Sequence, residues 1–372
     1  MDQREFSKRF AGSSSRQEKV TLLDAYAEQL FENENYAQAC RHYTQAFHLE
    51  KQRNVRAYFA GQIGICRYNA GEDGEALRYL LRSTRLFQPD QPEFMPDMYG
   101  FVYFYLGSLY EYHGRVQKSL EARRVCEQYI DSQEKDTKWM LFAGMSRNYE
   151  LLGMHDESIR YSQKALQVLS DNDPGLTYVY ETMGNNYMRL KQYSEAIKHF
   201  SKVLELDPNF ERRDDIYLKI AESYHKLTNH QRALESYQKI LELKQLTGDR
   251  KNLPALYIQI AHCHFRLDQF EKSLLVTLEG LRRQPKDKTE RAELRSYLTN
   301  NYHEMGRYRD AVEEGLRTLK VARRFHGDSI FYVRLALSYY KLGDKKNFKL
   351  YRSLCRRRFR SDSWIAYLEK LM

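Results

Sequence analysis

Apolar and small residues recur along this chain in a fixed order, and the stretch from Thr177 to Phe210 shows that order most completely. Within it Tyr180, Met183, Gly184 and Tyr187 fall three or four apart, the period of a helix face. After a turn at about Lys191–Gln192, a second helix carries Ala196, Phe200 and Val203, and Pro208 ends it. Gly184 and Ala196 are small where two antiparallel helices must approach closely, while Tyr187 and Phe200 fill the space beside them. One such hairpin cannot cover its own apolar face, so it must stack on copies of itself.

The copies are present. Units in the same register start at Val20, Ala57, Gly100, Trp139, Thr177, Asp214, Pro254, Ala292 and Ser329, 37 to 43 residues apart. The close-approach position of the second helix is Ala39, Ala76, Ser119, Ser158, Ala196, Ala233, Ser273 or Ala311, and only the ninth unit places a large residue, Phe348, there. Turns within the hairpins are expected at Asn33–Tyr36, Gly71–Asp73, Gly114, Gly153, Lys191–Tyr193, Thr228–His230, Asp268–Phe270, Gly306 and Gly343. Glycine there supplies the left-handed backbone on which helices often end. The 3 to 9 residues beyond 34 in each spacing predict longer helices or inter-unit loops. The longest insert, Gln91–Tyr99, contains Pro92 and Pro96, which forbid a continuous helix; it reads as a long loop or a break in the stack.

In the order aromatic, bulky apolar, small, Tyr, Ala, aromatic, small, Pro, residues 177–210 resemble the tetratricopeptide-repeat (TPR) family, and the shared register extends the resemblance over about nine-tenths of the chain. It implies an all-α, right-handed superhelical solenoid of about nine TPR-like hairpins. Before it, residues 1–19 read as a charged, Ser-rich, mobile tail with a short helix around Arg4–Phe10. The repeat domain spans 20–362. After it, residues 363–372 bring Trp364, Ile365, Leu368 and Leu371 onto one face, as a short helix capping the stack would.

Composition changes this picture little. A hydrophobic fraction of 42% predicts a packed protein. The net charge of +10 gathers in the last third, at Arg282, Arg283, Arg323, Arg324 and Arg356, Arg357, Arg358, a basic patch or a solvated face. The five cysteines lack CxxC or metal-ligand spacing and fall at repeat core positions, which suits a reducing compartment. No apolar run is long enough to span a membrane and no signal-peptide stretch stands at the start, so a cytoplasmic protein is expected, with no membrane partner.

No catalytic motif and no cofactor site is legible: there is no phosphate-cradling Gly-rich loop, HExxH or nucleophile elbow. His262 and His264 flank Cys263, but side chains two apart on a helix point about 200° away from each other, so no metal is expected.

What remains is surface. In TPR proteins the first helix of each repeat lines the binding groove. Carried onto this sequence, the resemblance assigns groove roles to Tyr58, Phe101, Phe104, Tyr105, Arg147, Tyr178, Asn185, Arg189, Gln259, His262, Asn300 and Arg334. Asn185 and Asn300 occupy the position where peptide-binding members use a carboxamide to grip a ligand backbone. The clamp that captures C-terminal carboxylates in some TPR domains is not matched, because Glu181 and Gln259 stand where it needs cations.

The expected function is therefore a non-enzymatic scaffold or adaptor whose partner is another protein or peptide. A peptide-responsive regulator similar to bacterial quorum-peptide TPR receptors is the first alternative, weakened because the residues before Val20 are too few for their N-terminal effector module. Nucleic-acid binding through the basic third is the other, and is less favoured because no base-reading motif is present. The sequence leaves oligomeric state open.

Overall fold

The computed structural model describes residues 2–130, 135–321, 329–358, 367–368 and 370–371, the side chains of 329 and 358 aside. Among them every regular element is a helix. Two compact units divide the chain, Met1–Lys191 and Gln192–Met372.

The first unit holds α1 (Gln3–Gly12), α2 (Arg16–Glu32), α3 (Tyr36–Leu49), α4 (Arg53–Asn69), α5 (Asp73–Leu86), α6 (Pro96–Tyr112), α7 (Val116–Tyr129), α8 (Lys135–Leu151), α9 (His155–Val168) and α10 (Gly175–Arg189). Helices α2/α3, α4/α5, α6/α7 and α8/α9 pack as hairpins, and each hairpin packs on the next. The second unit holds α11 (Tyr193–Leu206), α12 (Arg213–Lys226), α13 (His230–Thr247), α14 (Leu253–Arg266), α15 (Phe270–Arg282), α16 (Lys288–Glu304), α17 (Tyr308–Val321), α18 (Ser329–Lys341) and α19 (Lys345–Arg358). Here α11 packs on α12, and α12/α13, α14/α15, α16/α17 and α18/α19 are the hairpins. The chain is an all-α helical repeat solenoid, and α10 and α11 are the two helices of the 177–210 repeat.

Side-chain size explains the pairing. Ala27, Ala39, Ala76, Ala196, Ala221, Ala233, Ala261, Ala311 and Ala336 are fully buried, as the spacing predicts. At Gly64 a β-carbon would lie 2.7 Å from Leu80 Cγ, so α4 and α5 tolerate nothing larger there. Tyr43, Phe59, Phe200 and Tyr237 fill the gaps and are nearly solvent-free; each such burial stabilises by about 1.5–3 kcal/mol.

The eight hairpin turns and the turn at Lys191 after α10 each contain one residue in the left-handed region, with φ between 56° and 77°. Five are glycines; Glu34, Lys191, Thr228 and Asp268 adopt the same backbone against the usual steric cost.

The surplus beyond 34 residues goes mainly into the first helices. Helices α4, α6, α8 and α16 each begin four residues ahead of the repeat register and run 17 residues, while α5, α7, α9 and α17 keep 14.

The insert 91–99 is a short loop running into α6, with Pro96 in the first turn. Phe94 sits edge-on to Phe87, Tyr99 and Tyr129, at 5.8, 5.5 and 5.9 Å between ring centres. Asn54 Nδ2 donates to Gln88 O at 3.2 Å and its Oδ1 accepts from Gln88 N at 2.7 Å, so the preceding chain is pinned to α4.

The segment expected as a mobile tail contains the docked helix α1. Its Phe6 is buried, stacked on Tyr26 at 4.3 Å and edge-on to His42 at 5.1 Å, because the open end of the first hairpin needs an apolar cover. The expected capping helix 363–372 lies largely outside the described residues. Within it Leu368 is fully buried in a cluster with Phe331, Leu335 and Phe348.

Candidate binding face on the first helices

In the first unit α4, α6, α8 and α10 stand side by side, so their outward positions form one continuous face. Its charged centre is built around a buried arginine. Arg123 of α7 is 5% exposed and reaches between α6 and α8, where Gly107 and Gly144 leave room. A β-carbon at Gly144 would lie 2.5 Å from the guanidinium carbon. Arg123 Nη1 donates to Ser119 Oγ and Gly144 O, both at 3.0 Å, and meets Glu111 Oε2 at 2.6 Å. Burying the cation is tolerable because it is paired and hydrogen-bonded.

Beside Glu111 the face carries Arg147, whose Nη1 meets Glu150 Oε2 at 3.0 Å, and Tyr178, which is 43% exposed. Burial, then the Glu111 carboxylate, pushes the Tyr178 hydroxyl pKa up, with Arg147 acting the other way. Two of the expected groove residues, Arg147 and Tyr178, are thus brought together with two carboxylates. At the other end of the face Tyr58 donates to Asp24 Oδ1 at 3.1 Å and accepts from Gln62 Nε2 at 3.2 Å. Burial raises the Asp24 carboxyl to about 6. Asp24 was absent from the sequence reading, although it occupies the fifth repeat position, a lining position in the family pattern.

Phe101, Phe104 and Tyr105 are half-buried. Tyr105 lies edge-on to Tyr68 at 5.1 Å, and Phe104 packs against the core cluster of Leu120, Cys126 and Leu141. These two rings serve contacts between hairpins. Arg189 is exposed.

In the second unit α14, α16 and α18 stand side by side. Gln259 and His262 are half-buried on α14, with His262 Nδ1 2.8 Å from the Tyr297 hydroxyl. Arg334 pairs with Glu304. His303 Nδ1 lies 2.8 Å from Ser338 Oγ.

The two asparagines differ. Asn185 is half-buried, whereas Asn300 is only 5% exposed, with an Oδ1 that has no hydrogen-bond donor among the described residues. Their neighbours carry a different role. Asn148, Asn186 and Asn301 are fully buried, and each donates Nδ2 to a serine of the preceding hairpin: Ser119 at 2.8 Å, Ser158 at 2.8 Å and Ser273 at 2.9 Å. Those serines in turn donate to Gly107 O, Ser146 O and Ala261 O. The signal was readable: wherever the close-approach residue is serine, the tenth position of the next repeat is asparagine, and wherever it is alanine that position is Cys66, Leu109, Ser223, Cys263 or Ser338.

The basic patch is only partly described. Arg282 and Arg283 are exposed and both pair with Glu279. Arg356 and Arg357 are exposed, while Arg323, Arg324 and the Arg358 side chain lie outside the described residues. All five cysteines are buried and unbridged, and burial pushes Cys66, Cys126 and Cys263 up to about 12, which keeps those thiols protonated. A cleft of 440 Å³ between α11, α12 and α13, lined by Tyr217, Tyr224 and Arg232 among others, contains none of the predicted site residues.

Two tetratricopeptide-repeat family models match, one over residues 178–210 and the other over 214–245. The chain is a tetratricopeptide-repeat protein. The TPR fold extends to similar solved structures. The apo form of RapI is 16% identical, covers 92% of this chain and 97% of its own, and superposes with a TM-score of 0.50. The C-terminal part of a TPR protein from Cytophaga hutchinsonii is 17% identical, covers 81% and 95%, and gives 0.47. A TPR protein from Parabacteroides merdae is 15% identical, covers 76% and 99%, and gives 0.43. No curated protein matches the chain. Among the described residues, no TPR helix is long and apolar enough to cross a membrane.

Proposed function

We propose that this TPR protein is a non-catalytic scaffold that binds a segment of another protein, as an extended peptide or a helix, on the first-helix face of its first unit. The observation that carries the reading is the juxtaposition of half-exposed Tyr178 with the Arg147–Glu150 and Arg123–Glu111 pairs. An aromatic platform beside paired charges suits recognition of side chains and backbone together, and tyrosine and arginine dominate binding energetics at such surfaces. Arg123 is held from below by Gly107 and Gly144, which fixes Glu111 before any ligand arrives. Nucleic acid is disfavoured as the partner because Arg282 and Arg283 already share Glu279.

A displayed random-peptide library selected on the purified chain, followed by fluorescence anisotropy, tests the reading. Peptides enriched on the wild type should bind the Arg147→Ala/Tyr178→Ala variant at least about tenfold more weakly, roughly 1.4 kcal/mol, with unchanged helical circular dichroism. Selected peptides that bind the variant equally well would remove this face as the site.

A further inference from the structure

A second constellation lies in the second unit. His225 stands in the last turn of α12, His230 opens α13, and Cys263 belongs to α14. One ligand atom from each lies within 4.8 Å of the other two. His262 and His264, two apart on α14, point away from each other and do not share an ion. His264 Nδ1 turns to Gln269 Oε1 at 2.8 Å, and His262 Nδ1 to the Tyr297 hydroxyl. What sequence spacing could not show is that the packing of two hairpins brings two other imidazoles to Cys263.

We propose that His225, His230 and Cys263 form a binding site for a zinc-type divalent transition metal that ties the sixth hairpin to the seventh. Two imidazoles and a thiolate are a donor set that zinc accepts, with a fourth position left to water or another ligand. Zinc takes nitrogen at about 2.0–2.1 Å and sulfur at about 2.3 Å, which places ligand atoms about 3.5 Å apart; the observed spacing closes to that by side-chain rotation of half-buried histidines.

A second observation points the same way. Nδ1 of His225 and Nδ1 of His230 are both buried without a hydrogen-bond partner. Buried polar atoms are ordinarily satisfied, and two rings that each carry an orphaned nitrogen and each reach one thiol make an arrangement a cation completes. The third ring of the group, His262, lies 4.9 Å from His225 and 5.9 Å from His230 between ring centres, and closes one side of the cluster.

The charge state is compatible. Burial first, then the cations Lys226 and Arg266, lowers the pKa of His225; burial and Arg266 lower that of His230. Metal ligation needs neutral imidazoles, and these shifts favour that form. Cys263 is protonated in the free protein, so binding releases its proton to solvent, and the resulting thiolate offsets one of the two charges that Arg266 would oppose.

The test uses the full chain, reduced and stripped of metal, titrated with Co²⁺ and then Zn²⁺ against a chromophoric chelator. One equivalent of Co²⁺ should bind with a thiolate-to-cobalt charge-transfer band, and Zn²⁺ should displace it and raise the melting temperature. Cys263→Ser should abolish the band. His230→Gln, at a half-buried helix start, should weaken binding by roughly tenfold or more even if Cys263→Ser fails to fold. His264→Gln, off the cluster, should bind as the wild type does. No saturable binding, a complex without the thiolate band, or full affinity in His230→Gln overturns the proposal.

Discussion

The residue that best repays attention is Ser273. It donates to Ala261 O within its own hairpin and accepts from Asn301 of the next, in a site fully closed to water. Ser273→Ala would leave the Asn301 amide buried without that acceptor, which costs about 1–3 kcal/mol. The double change Ser273→Ala/Asn301→Cys recreates the Ala233–Cys263 pairing found one hairpin earlier. It should be less destabilised than the sum of the two single variants, by about 1 kcal/mol or more. Urea midpoints at constant slope measure both. This polar pair also shows what the sequence concealed. Small residues were legible as close contacts, but serine was read as merely small. A hydroxyl needs partners when buried, and asking for them would have led to the tenth position.

Among the elements, α16 and α18 show how packing fixes a charge state. His303 of α16 is pushed down to about 4, first by burial and then by Arg334 and Lys341 of α18. Its pKa in the unfolded chain is about 6.5. The unfolded state therefore binds the extra proton between these values, and stability is lost as pH falls from about 6.5 through 4. The loss should be on the order of 1–2 kcal/mol, and His303→Gln should flatten it; melting temperatures at pH 7, 6, 5 and 4.5 read the difference. Helix identity and turn positions were plain in the sequence because glycine and small residues punctuate the 34-residue rhythm. The 37-to-43-residue spacing announced longer helices or loops but not which, and the added turn falls at the start of α4, α6, α8 and α16, upstream of the first repeat position. Docking of α1 was hidden for a related reason: Phe6 and Phe10 are two apolar residues in a charged segment, and only the open end of the first hairpin gives them somewhere to go.

At the scale of the molecule, the main contacts of each hairpin among the described residues are with its neighbours in its unit, so stability should be local. Gly64→Leu forces a side chain into the space of Leu80 and should cost about 1–3 kcal/mol or more. Native-state hydrogen exchange should then show faster exchange in α4 and α5, while amides of α14 to α17 keep their protection. Uniform loss across both units would mean that the chain unfolds as one body. Site prediction from the family pattern was weakest at this scale. Arg147 and Tyr178 could be named from their repeat positions, but Glu111 and Arg123 meet them only after three hairpins have stacked, and no spacing within one repeat records that.

The serine–asparagine pairs have one more implication. A pile of near-identical couples can slip by a whole copy, each still covering another's greasy side, and nothing in shape alone forbids it. Here the seams differ. Three are keyed by a carboxamide that needs a hydroxyl opposite, and the others offer alanine. Sliding the column by one step would press an amide against a methyl group somewhere along its length, so the order of copies written in the gene is also the order the folded chain enforces.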